Sequence, residues 1–168
     1  MYKRQIAGGE KLNGANLVTF SGKRIYLVKS DLIGWLKEEQ FQEVAKLEGE
    51  DQIIDADSWL GGLYLLDRAN EQIWKYPAIN NGLGSRRAWL KTKLGFSFSR
   101  VVDMAINGHI WLLLDNGRIY KFLSGREDRF SQQLPSGVGK AQYLTVAQEG
   151  ETIAFWDQEK KIVWVFNK

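Results

Sequence analysis

The chain has no cysteine, which excludes disulfides, thiolate metal sites and a cysteine nucleophile but leaves the redox compartment open. It has a single histidine, His109. Paired-imidazole metal sites are therefore excluded, and a bound metal would be a hard cation on carboxylates, calcium or magnesium. No apolar run approaches the roughly 18 residues of a membrane-spanning helix. Lys3 and Arg4 are not followed by an apolar stretch, so these residues hold no secretory signal. Charge of one sign is scarce too: 23 Lys and Arg against 20 Asp and Glu leave a net +3, too small to imply a nucleic-acid partner. What remains is 168 residues, 44% hydrophobic and 12% aromatic, enough for one domain that buries roughly 70% of its unfolded surface.

The chain repeats itself. An aliphatic–aromatic run, a turn and a second aromatic run return four times at a period of about 40 to 47 residues. The clearest copies are Leu63-Tyr64-Leu65-Leu66-Asp67 with Gln72-Ile73-Trp74-Lys75-Tyr76, and Ile110-Trp111-Leu112-Leu113-Leu114-Asp115 with Arg118-Ile119-Tyr120-Lys121-Phe122. Ile25-Tyr26-Leu27-Val28 with Ile33-Gly34-Trp35-Leu36 is fainter, and Ile153-Ala154-Phe155-Trp156-Asp157 with Val163-Trp164-Val165-Phe166 is the last.

Asn107-Gly108 and Asn116-Gly117 read as two-residue hairpin turns, joining strands over Val101–Ile106, His109–Asp115 and Arg118–Leu123 into a meander. Ser21-Gly22, Trp59-Leu60-Gly61-Gly62 (a looser loop) and Glu149-Gly150 mark the same turn elsewhere, and Arg68–Glu71 and Gln158–Lys161 lengthen the second one. Polar stretches at Gln40–Leu47, Arg86–Lys91 and Glu127–Gln132 suit outer edge strands. In the middle strand, Ile110, Leu112 and Leu114 face one way and Trp111 and Leu113 the other, so both faces are apolar. A two-layer sandwich needs one such face per sheet; stacked blades need two. A rival reading places a helix over Ser30–Glu50, on the stripe Leu32, Leu36, Phe41, Val44 and Leu47. Alignment of the copies favours strands there, with Trp35 set beside Trp74, Tyr120 and Trp164.

The expected fold is all-β: a β-propeller of four blade-like antiparallel meanders, either a four-bladed ring or part of a larger propeller. It forms one domain over 1–168, with blades at about 12–48, 49–94, 95–135 and 136–168. The last meander stops at its third strand, and residues 1–11, through Tyr2–Ile6, are expected to supply its outer strand and close the ring.

The run Leu63–Tyr76, taken with Val102-Asp103-Met104-Ala105-Ile106-Asn107-Gly108, resembles blades of the NHL and YncE-like β-propellers. It looks closest to propeller regions of large candidate-phyla bacterial proteins, in which such a region can follow a PPM-type phosphatase-like domain. No phosphatase-like domain fits within these repeats. The resemblance covers about Glu43–Gln133 well; it is specific for fold and poor for function. It implies a binding or scaffolding module that sits outside the cytoplasmic membrane in its parent protein.

Asp55 and Asp103 occupy matching places at the start of inner strands, which line a propeller's channel, with Thr19 and Thr145 near that place in the other copies. Two carboxylates near one axis can bind a cation or act as acid and base, but the favoured reading is that each satisfies nearby backbone donors. Asp67 and Asp157 suit turns, bonding the backbone of their own loops. Arg86, Arg87, Lys91 and Lys93, with Trp89 among them, form the densest basic-aromatic segment, fit for an acidic partner or single-stranded nucleic acid, or for a solvated outer strand with Trp89 packed inward, which is the favoured reading. Trp59, in a turn, is the best exposed aromatic; Trp74, Trp111, Trp156 and Trp164 lie in strands where packing accounts for them. His109 falls in no recognisable Ser–His–Asp arrangement, and it reads as an exposed strand-start residue; no catalytic residue is assigned.

The expected function is a non-enzymatic module that binds a protein partner through its loop face or channel, as a homo-oligomer if the ring is incomplete, with no cofactor. The alternatives are a hydrolase or lyase of gluconolactonase type carrying calcium on the axis, and a glycan-binding propeller.

Overall fold

A computed structural model describes residues 14–21, 24–37, 40–80, 82–130, 132, 136–148 and 152–166. Four antiparallel sheets follow one another along the chain. The first is β1 (Leu17–Ser21), β2 (Arg24–Val28), β3 (Leu32–Lys37) and β4 (Gln40–Lys46) in that order. The second is β5 (Ile53–Trp59), β6 (Gly62–Asp67) and β7 (Gln72–Tyr76); a small hairpin of β8 (Ala78–Ile79) and β9 (Gly82–Leu83) intervenes before β10 (Arg87–Ala88) completes it. The third is β11 (Val101–Ile106), β12 (Ile110–Leu114), β13 (Ile119–Leu123) and β14 (Arg126–Asp128). The fourth has three described strands, β15 (Ala141–Val146), β16 (Ile153–Asp157) and β17 (Ile162–Phe166). Tyr2–Ile6, expected to complete it, lies outside the described residues. β3 and β4 occupy the stretch that had a rival helical reading.

The inner strands stand side by side in chain order, β1 against β5, β5 against β11 and β11 against β15. This is propeller-type stacking, and it explains the doubly apolar middle strands. Each face of a middle strand lies in a different core. Leu63 and Leu65 of β6 pack with Tyr26, Val28 and Ile33 of the first blade. Tyr64 and Leu66, on the other face, pack with Ile110, Leu112 and Leu114 of the third. Trp111 and Leu113 in turn meet Ile153 and Phe155 of the fourth. Among the described residues there are thus three cores, one per blade interface, and every residue of β6 and β12 is buried.

The expected turns need correction. The Leu60-Gly61 connection is a tight two-residue turn with positive φ at both residues (48° and 81°), joining Trp59 to Gly62. The Asn107 loop instead spans three residues, since Ile106 pairs with Ile110, and only Gly108 has positive φ there. At Asn116-Gly117 the Gly117 N–H returns to the Leu114 carbonyl and Gly117 alone has positive φ (82°), a three-residue loop ending in a left-handed glycine.

A further correction is one of register. Trp74, Tyr120 and Trp164 sit opposite Leu65, Leu112 and Phe155, but the matching place in the first blade, opposite Leu27, is Gly34. Trp35 lies one residue on and pairs with Tyr26. The Phe41 ring from β4 fills the space over Gly34, where a Cβ would stand 2.1 Å from it. One blade therefore replaces a large residue on β3 by a glycine plus a ring borrowed from its edge strand.

Candidate axial site

The axial site begins with an alternation. Asp55-Ala56-Asp57 on β5 puts two carboxylates on one face and a methyl group on the other. Ala56 turns back toward the first blade, in its core, while both carboxylates reach forward. Asp55 Oδ2 accepts the Met104 N–H of the third blade at 2.7 Å, and Asp57 accepts the N–H of Ile106. Asp103 repeats the step one blade on, accepting the Leu144 N–H. The first blade makes it with an alcohol: Thr19 Oγ1 lies 3.5 Å from Asp57 Oδ1 and 3.4 Å from Ser58 Oγ. An inner-strand side chain thus repeatedly bonds a residue one position further along the next inner strand.

These bonds bring acids together. Burial raises the Asp55 carboxyl from its ordinary 3.8 to about 8, and a hydrogen bond with Asp103 together with that residue's charge adds to the rise. A bond between two carboxyl groups needs a proton on one of them, and the raised Asp55 carboxyl supplies it. Burial also raises Asp57, against the lowering effect of its bonds from Ser58, Ile106 and Thr19. Above them lies a cavity of about 290 Å3 whose wall takes Thr19 and Phe20 from the first blade, Asp57 and Ser58 from the second, Ile106 from the third and Thr145 from the fourth.

Asp55 and Asp103 therefore lie against each other on adjacent inner strands. Their roles as acceptors for neighbouring backbone are visible in the geometry, and no group of three or more His, Cys, Asp or Glu converges on one point among the described residues. Thr19 and Thr145 stand two residues beyond the Asp55 position, at that of Asp57: Thr19 pairs with Tyr26 and Asp57 with Tyr64, each two residues before its hairpin's closing pair. Sequence reasoning missed Asp57, although the alternation of Asp55 and Asp57 around a small residue marks one polar strand face.

The other candidates are dispersed. Trp59 closes β5, half-buried against the core between the second and third blades, with Gly108 beside its ring. Arg86 ion-pairs with Glu48 at 2.7 Å and Asp51 at 2.6 Å and stacks 4.0 Å over Trp74. Arg87 is exposed on β10. Lys91 and Lys93 border a separate cleft of about 350 Å3 with Glu71 and Phe96. Trp89 is turned inward, edge-on to Tyr64. His109 Nε2 lies 3.7 Å from Asp128.

Asp67 and Asp157 are loop anchors. Asp67 accepts from the backbone of Gln52, Ala69 and Asn70, the Asn70 amide and, at 2.8 Å, Trp74 Nε1. Asp157 accepts from the backbone of Gly139, Lys140 and Lys160 and from Trp164 Nε1. Burial pushes both carboxyls up, but their donors outweigh it and hold both below the usual range.

No family model matches the chain, and no curated protein matches it either. Solved structures do. PorZ, described as an essential bacterial surface component of the type-IX secretion system of Porphyromonas gingivalis, aligns with TM-score 0.57 and 20% identity over 95% of this chain and 22% of its own. A putative oxidoreductase (glucose dehydrogenase) of Thermus thermophilus aligns with TM-score 0.61 and 11% identity over 90% of this chain and 60% of its own. A prolyl endopeptidase aligns with TM-score 0.50 and 15% identity over 85% and 24%. At these identities the likeness concerns the fold, which is propeller-type in all three. The chain spans less than two thirds of each.

Proposed function

We propose that the chain is a non-enzymatic binding module that receives a protein partner at the mouth of its axis. The observation that carries this reading is that Asp55 and Asp103, the best-placed acid–base or metal candidates, are engaged in joining one blade to the next. Asp57, Thr19, Ser58 and Thr145 remain around an open cavity of about 290 Å3, an acceptor-rich setting for a donor such as a lysine or arginine side chain of the partner. The resemblance of Leu63–Tyr76 to NHL and YncE-like blades supports a scaffolding role, and the surface location stated for PorZ fits a module outside the cytoplasm.

The test is a library of immobilised basic, acidic and neutral peptides probed with the whole chain and with Asp57→Asn. Capture of basic peptides, weakened at least tenfold by Asp57→Asn, is the expected result. Binding that ignores this substitution, or no peptide binding alongside turnover of a small-molecule substrate, overturns the reading.

A further inference from the structure

The blade interfaces follow one rule, and the two ends of the array leave it half-executed. Residues at the Ala56 and Ser58 positions of an inner strand look back toward the preceding blade: Ala56 lies in the core with the first blade, Met104 and Ile106 in the core with the second, and Leu144 and Val146 in the core with the third. In β1 the same positions are Val18 and Phe20, counted from closing pairs Ser21 with Arg24 and Trp59 with Gly62. They are 66% and 76% exposed.

At the other end, the forward-facing positions of a blade's outer half are Ile119 and Lys121 in the third blade, both buried. Their counterparts in β17, opposite Trp156 and Ala154, are Val163 and Val165, 58% and 56% exposed. Thr145 of β15 stands at the Asp57 position, where the forward bond is made, and is exposed. Isolated exposed apolar residues are ordinary, but here they fall on the two faces that inner blades bury.

The two faces complement each other. The forward step joins Asp57 to Ile106 N–H and Thr19 to Ser58; the next step would join Thr145 to Phe20 of another first blade. Ala154 and Trp156 of β16 would meet Val18 and Phe20, as β12 now meets β15, and Val163 and Val165 would meet Ile25 and Leu27 of β2, as Ile119 and Leu113 now pack with Ile153 and Phe155. We propose that a second copy of this chain covers these faces, with the fourth blade of one copy stacked on the first blade of the next. Such a contact is heterologous, giving a closed ring if the rotation closes and a longer chain of copies if it does not. This interface extends one that the described residues form three times; Phe20 and Thr145 also border the axial cavity, whereas Val18, Val163 and Val165 do not, so Val18→Lys and Val165→Lys test the interface apart from the axial binding reading.

The experiment is light scattering on size-separated whole chain over a concentration series, with Phe20→Lys blocking the leading face and Val163→Lys the trailing face. Both side chains are exposed, so each variant should melt like the parent; Val18→Lys and Val165→Lys serve as second variants for each face. The wild type is expected to associate and each variant alone to be monomeric. An equimolar mixture of Phe20→Lys and Val163→Lys should recover a dimer, because one chain keeps an intact trailing face and the other an intact leading face. A monomeric wild type, a single variant that still associates, or a mixture of folded variants that stays monomeric each overturns the proposal.

Discussion

Two pairs of aspartates, alike in the sequence, live in opposite surroundings. Asp67 and Asp157 sit in loops where backbone and indole N–H groups converge on each carboxylate, which is held ionised. Asp55 and Asp103 sit on the axis against each other, and the Asp55 carboxyl is driven toward its neutral form. The first pair consolidates single blades by anchoring the β6–β7 and β16–β17 connections. The second ties blades together, each carboxyl accepting a backbone N–H of the next blade. Residue type alone does not fix an aspartate's contribution; the count of donors against the count of nearby acids does.

Removing a loop anchor gives the largest effect. Asp67→Ala strands five donor groups at a fully buried site and is expected to lower the unfolding free energy by about 3 kcal/mol. Chemical denaturation checks this, and a loss below about 1 kcal/mol would mean that the loop re-satisfies its donors with water.

The axial pair is tested by pH. The unfolded chain releases the Asp55 proton near 3.8 and the folded chain near 8, so between these values the folded state holds more protons. The stability linked to this group is present below about pH 4 and is lost as pH rises through about 8. Asp55→Asn should flatten that slope and leave the protein about 1 to 2 kcal/mol more stable than the parent at the alkaline end. A parent whose unfolding free energy does not fall over this interval contradicts the raised Asp55 carboxyl.

The smallest effect is expected at the indole. Trp74→Phe keeps most of the ring but removes the donor to Asp67, which costs about 1 kcal/mol. In the Asp67→Ala background the same substitution should cost measurably less, since a double-mutant cycle isolates the pair. Additive losses would separate the two residues.

Much of this is legible in the sequence. The doubly apolar runs at Leu63–Leu66 and Ile110–Leu114 require covered sheets, and the loop aspartates are readable because their bonds are local along the chain. The axial pairing is not, because Asp55 meets Met104 and Asp103 meets Leu144 only after strands some 40 to 50 residues apart are stacked. Trp35 misleads because aromatic recurrence aligns residues without counting strand pairs; the shorter β2–β3 connection shifts it by one residue, and a one-residue shift moves a side chain to the other face. The Asn-Gly dipeptides mislead for a related reason: a left-handed glycine serves three-residue loops as well as tight hairpins.

The three separate cores have a dynamic consequence. Each blade contacts its immediate neighbours, so the molecule behaves as a short linear lattice of coupled units, with stability summed from each unit and its nearest-neighbour couplings. Among the described residues, the second and third blades are coupled on both sides and the outer two on one side. Amide protons of β6 and β12 should therefore exchange with solvent most slowly and those of β2 and β16 faster, the lattice melting inward from its ends.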